Sequence, residues 1–191
     1  MSTDSALLQI VDAALAEAAR KSGEWLVCRP GCSECCIGPF PISQLDARRL
    51  RVGLAELESH DPPRARRVRE RARLYLARFG PEFPGGLAAG LLEGTCADEE
   101  PCPALDPQTG TCDLYAARPM TCRVFGPPMR VGQAPGPAVA VCELCFQGAT
   151  SDEIAACEVA VDPDGLEFAL LQELEHSTGA EGDTIVALVL A

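Results

Sequence analysis

Four cysteines fall within nine residues in Cys28-Arg-Pro-Gly-Cys32-Ser-Glu-Cys35-Cys36. Thiolates are soft donors, and dense groups of them in reducing surroundings hold zinc or iron–sulfur centres. Convergence needs a tightly looped backbone, which Pro30 and Gly31 permit. The bland alternative is a set of buried apolar cysteines, but a Gly/Pro loop is not where a core is filled. Cys35 and Cys36 are neighbours, so their side chains diverge. That arrangement calls for two sites or a polynuclear centre, because a lone tetrahedral zinc would leave thiols spare.

A second constellation runs from Pro101-Cys102-Pro-Ala-Leu-Asp106 through Gly110-Thr-Cys112 to Arg118-Pro119-Met-Thr-Cys122-Arg123. Asp106 to Gly110 reads as a turn between two short extended pieces, which would bring Cys102 and Cys112 together as a hairpin does. Pro119 holds Arg118 extended and opens a short helix that presents Cys122. Arg29, Arg118 and Arg123 lie beside thiols, where their charge would lower thiol pKa values and offset a thiolate-rich cofactor. Cys142-Glu-Leu-Cys145 adds a CxxC, and Cys96 and Cys157 complete the eleven cysteines.

The positioning elements are mostly helical. Ser5 to Arg20 is predicted as an amphipathic helix with Leu7, Ile10, Val11, Ala14, Leu15 and Ala18 on one face. Ser43, with Asp46 three residues on, opens a second helix through about Glu58. Asp61-Pro62 caps a third, whose buried stripe is Ala65, Val68, Ala72, Tyr75 and Phe79 and which Gly80-Pro81 stops. Residues 81–150 carry too many Gly and Pro for regular structure, so metal bonds are the constraint that would order them. Asp152–Val159 and Asp162–Glu175 are two further helices, with Pro163 in the second one's first turn. Thr184–Leu190 fits a strand or a last helical turn.

Composition narrows the class. No apolar run reaches the about 18 residues that a membrane span needs, and the N-terminus, with Asp4, Asp12 and Glu17, is no signal peptide. The expected location is the cytoplasm, where eleven thiols stay reduced rather than pairing. A net charge of −12 disfavours nucleic acid as a partner. Ten arginines crowd residues 48–78, whereas no Lys or Arg follows Arg130. The arginine-rich helix 61–79 is either a solvated face or a dock for an acidic protein partner. His60 and His176 lie at helix ends and read as surface residues, and Asp98-Glu99-Glu100 as a solvated turn.

The cysteine run followed by CPALDPQTGTCDLYAARPMTCRVFGP resembles the YkgJ-type cysteine-cluster family, the CxxCxxCC zinc- or iron-chelating domain. Cys28, Cys32, Cys35, Cys36, Cys102, Cys112, Cys122 and Cys142 match its pattern over about residues 25–148, and Cys145 is the best additional ligand. One departure is the first gap, three residues here and two in the name-giving motif. The resemblance implies metal held by cysteine thiolates and extends to the larger flagellin lysine-N-methylases, although no Gly-rich nucleotide loop follows a strand here. The spacing Cys28-x3-Cys32-x2-Cys35 also coincides with the radical S-adenosylmethionine loop, which Glu34 before Cys35 and the short, Pro-rich chain disfavour.

The expected fold is mainly α: one domain over 1–191, with a cysteine-rich, Gly/Pro-rich region at 25–148 organised around a metal centre, room for a short β-hairpin, and helical flanks at 1–24 and 150–191. The expected function is metal or cluster binding in metal handling or redox chemistry. An iron–sulfur cluster is favoured over zinc or iron ions because thiols exceed four. A metal-dependent modifying enzyme and a structural zinc module remain the alternatives.

Overall fold

The computed structural model describes residues 3–83, 97–130, 139–162 and 164–191. The fold is mainly helical, with two small sheets. It divides into two compact units, the first of residues 1–29 and 121–173, the second of residues 30–120 and 174–191. Among the described residues no helix is long and apolar enough to cross a membrane.

In the second unit, α1 being reserved for the other, helix α2 spans Gln44–His60 and α3 spans Pro62–Phe79. Each starts where a side chain accepts one of the first turn's unpaired amides: Ser43 Oγ from Asp46 N at 3.2 Å and Asp61 Oδ1 from Arg64 N at 3.0 Å. The expected stripe of α3 is buried in full, Ala65, Val68, Ala72, Tyr75 and Phe79. It packs with Leu50 and Leu54 of α2 and with Val186 and Leu190 of the short helix Val186–Leu190, the last in the chain. Ahead of that helix Thr184 pairs with Ile42 through two backbone bonds of 2.9 and 3.0 Å. The C-terminal apolar run is thus a bridge and then a helical turn.

The expected hairpin forms. Strands β1 (Leu105–Asp106) and β2 (Thr111–Cys112) pair antiparallel, Leu105 opposite Cys112. Asp113 follows, its side chain only 1% exposed, and takes Arg64 Nε at 2.5 Å and Arg71 Nη2 at 2.6 Å. Arg71 Nε also donates to Pro103 O at 2.8 Å. Two arginines of α3 therefore tie down the hairpin. Gly53 of α2 lies against the turn at Tyr115–Ala117: a Cβ on Gly53 would sit 2.4 Å from the Cβ of Ala117.

In the first unit α1 covers Thr3–Ser22 and buries Leu7, Val11, Ala18 and Ser22. The expected face is corrected at one position: Ile10 is 41% exposed, whereas Ala14 and Leu15 are half-buried. Cys122 and Arg123 ride on α4 (Met120–Val124), which begins in the second unit. Strands β3 (Met129–Arg130), β4 (Val139–Ala140) and β5 (Val159–Ala160) form a sheet in the order β4-β3-β5. Helix α5 runs Ser151–Cys157 from a capping box of Thr150 and Glu153. Helix α6 runs Leu166–Thr178, later than expected. Asp162 caps it by accepting the amides of Leu166 and Glu167; Pro163 lies outside the described residues.

Candidate metal centre

In the second unit the two cysteine constellations are joined by backbone pairing. A 3₁₀ turn at Glu34–Cys36 leads into an antiparallel bridge between Ile37 and Pro101. Cys102 N donates to Cys36 O at 2.7 Å, and Gly38 N to Glu100 O at 2.9 Å. Cys102 therefore lies beside Cys36 despite the long separation in sequence. The hairpin sets Cys112 at the end of β2, and the bonds from Arg64 and Arg71 to the next residue fix that end against α3.

The thiols of this group act on one another. Cys35 and Cys36 share a hydrogen bond, which holds the Cys35 thiol down at about 7. The same bond, then burial, then the charges of Cys35, Cys102 and Cys112 push Cys36 well above the usual thiol range. One proton shared between the neighbours accounts for both directions. Burial pushes Cys102 up to about 12, its thiol packed inside although the residue is only partly covered, and Cys112 also rises through burial. Arg118 offsets charge on both Cys35 and Cys112, and Arg71 does so for Cys102. Arg118 is set for this by donating to Tyr115 O at 3.0 Å and by stacking 4.0 Å above the Tyr115 ring.

The remaining predicted residues lie in the first unit: Cys28, Arg29, Cys122, Arg123, Cys142 and Cys145. Gly126 has φ +126°, a conformation open to glycine, and a Cβ there would meet Cys28 Sγ at 3.0 Å. The carbonyl of Gly126 accepts from Cys142 N at 3.1 Å, which puts the CxxC beside the same glycine. Cys142 and Cys145 share a side-chain hydrogen bond, burial raises the Cys142 thiol, and both pack with Cys157 and Phe146. Cys157 Sγ donates to Lys21 O at 3.3 Å. Arg123 is buried and pairs with Asp12 of α1 at 2.8 Å, whereas Arg29 is exposed. Cys96 lies outside the described residues.

The run 28–36 is therefore divided, with Cys28 in the first unit and Cys32, Cys35 and Cys36 in the second. Among the described residues no three His, Cys, Asp or Glu donors stand arranged to hold an ion. The donor chemistry nevertheless fits zinc or iron. Sulfur is the soft ligand both accept, no disulfide joins the described cysteines, and a change of χ1 rotamer swings each Sγ about its Cβ. In the second unit the thiols available to a metal are those of Cys35, Cys36, Cys102 and Cys112, with Cys32 nearby in sequence; in the first unit they are those of Cys28, Cys122, Cys142 and Cys145. Sequence reading passed over Arg71 and Asp113. Asp113 directly follows Cys112, yet nothing local marks an aspartate whose partners are forty and more residues away.

No curated protein and no solved structure matches the chain. The profile of the CxxCxxCC family, described as a "putative zinc- or iron-chelating domain", matches residues 27–145, a span that takes in both sets of thiols. The chain belongs to that CxxCxxCC family.

Proposed function

We propose that the protein is a cytoplasmic metal-binding protein of metal or cluster handling or redox chemistry, whose principal centre is a set of thiolates from Cys35, Cys36, Cys102 and Cys112. The observation that carries this is the backbone pairing that sets Cys102 beside Cys36, with Cys102 N donating to Cys36 O at 2.7 Å, and the hairpin that places Leu105 opposite Cys112, so that two cysteines from each constellation lie in one unit. An iron–sulfur cluster is the preferred occupant. The described residues of the second unit offer five thiols, counting Cys32, which is one more than a tetrahedral zinc site takes. Arg118 and Arg71 balance the charge of that cofactor. Cys28, Cys122, Cys142 and Cys145 make up a separate set of ligands, and Arg123 and Arg29 lie in the same unit as that set.

Anaerobic purification with iron, zinc and sulfide analysis and an ultraviolet–visible spectrum tests the reading. Iron with acid-labile sulfide and broad visible absorption is expected, and Cys35→Ser or Cys112→Ser should diminish both. Zinc alone, with no iron taken up on reconstitution, would replace the cluster with zinc. Metal content untouched by either substitution would remove the centre from the second unit.

A partner surface is a second reading. Arg66, Arg67 and Arg73 project from α3 around an open cleft of about 500 Å³, which Pro63, Arg69 and Glu70 also line. Arg64, Arg71 and Arg78 are by contrast engaged with Asp113 and Glu100 of the same unit. The uncommitted arginine charge suits an acidic protein segment.

A further inference from the structure

Tyr75 is 8% exposed and, among the described residues, its hydroxyl has no hydrogen-bond partner. Buried hydroxyls are nearly always satisfied, so such an orphan points to something that binds there. The ring lies on the packed stripe of α3, tilted against Phe79 at 5.1 Å between centroids. It lines a cavity of about 10 Å³, room for one water at most. Apolar groups make up most of the wall, among them Phe40, Ile185 and Val186. The one side chain there able to change its hydrogen-bonding character is Cys102. Every residue named belongs to the second unit.

We infer that the Tyr75 hydroxyl is a hydrogen-bond donor to the Cys102 sulfur, directly or through one water, in the metal-loaded protein, and that it positions and tunes that ligand. The inference rests on the reading of Cys102 as a ligand. A protonated thiol is a weak acceptor. A metal-bound cysteine sulfur is a charged acceptor, and Cys102 lines the same cavity as a hydroxyl that has no partner among the described residues. The proposed bond gives the unpartnered hydroxyl an acceptor in the loaded protein, which couples metal binding to packing on α3. Outer-shell donors of this kind change metal affinity by about 10- to 100-fold.

The test is Tyr75→Phe in the full chain, with Zn²⁺ affinity measured by chelator competition and Co²⁺ used as the spectroscopic probe. Removing the hydroxyl should leave the metal-free melting temperature unchanged or higher. It should weaken Zn²⁺ binding about tenfold and move the thiolate-to-Co²⁺ charge-transfer band to lower energy. In a Cys102→Ser background the same change should have no effect on affinity. If Tyr75→Phe binds and absorbs as the wild type does while Cys102→Ser loses metal, the Tyr75 role is overturned and the ligand assignment stands. If Cys102→Ser binds metal as the wild type does, both are overturned. Should Tyr75→Phe fold poorly, resonance Raman of Tyr115→Phe, which leaves Tyr75 as the one tyrosine, reads its hydroxyl directly. A shift to a donating hydroxyl on adding Zn²⁺ supports the inference, and an unchanged spectrum overturns it.

Discussion

The amide of Cys102 donates to the carbonyl of Cys36 at 2.7 Å, the shortest of the backbone contacts that bring the two cysteine constellations of the second unit together. Among the described residues the Gly38–Glu100 bond, the Ile37–Pro101 bridge and a hairpin with two residues in each strand lie around it. So little regular structure leaves these segments dependent on whatever the thiols bind. Metal bonds to ligands dispersed in the unfolded chain convert binding energy into folding energy.

Removing metal should therefore speed hydrogen exchange at the amides of Gly38, Cys102, Leu105 and Asp113. Those of α2 and α3, packed through Leu50, Leu54, Val68 and Ala72, should keep their protection. Exchange measured by mass spectrometry with and without chelator checks this. Equal protection of Gly38 and Cys102 in both states would show that the pairing stands without metal.

Asp113 is the anchor of the hairpin. Asp113→Asn removes the buried charge, on a side chain 1% exposed, that the partly exposed Arg64 and Arg71 share, and should cost about 2–4 kcal/mol of stability. Changing Arg66, Arg67 and Arg73 together to Gln should shift stability by about 0.5 kcal/mol or less per residue, as exposed positions do. Urea denaturation of both variants separates the two kinds of arginine on α3. A triple variant as unstable as Asp113→Asn would show that the exposed arginines are structural after all.

Much of this was legible in the chain. Ser43 and Asp61 announce their helices because a cap is a local contact, and the stripe from Ala65 to Phe79 follows from helical spacing alone. The hairpin turn at Asp106–Gly110 is likewise local, held by Gly110 N to Asp106 O at 2.9 Å. What the sequence hid is long-range. Nothing near Cys28 shows that it lies in a different unit from Cys32 and beside Gly126. The exposure of Ile10 on α1 was hidden too, since it has the same character as its buried neighbours and only tertiary packing leaves it exposed.

The thiols of the metal-free protein should differ in reactivity. Thiolate is the nucleophile, and the Cys36 hydrogen bond holds Cys35 at about 7 while burial puts Cys102 at about 12. Iodoacetamide labelling of Cys35 should thus rise with pH through about 7 and level off above it. Cys102 should stay slow across the same range and climb only in strong base. Peptide mass spectrometry at a series of pH values reads both. Parallel profiles for the two would contradict the shared-proton account of Cys35 and Cys36.

X-ray absorption at the metal edge of anaerobically purified protein tests the central claim most directly. A first shell of about four sulfurs near 2.3 Å, the usual metal–thiolate distance, is the predicted result, whether the absorbing metal is iron or zinc. Under the preferred cluster an iron–iron shell should lie beyond it. A first shell of nitrogen or oxygen near 2.0–2.1 Å, with little sulfur, would contradict a centre built from Cys35, Cys36, Cys102 and Cys112.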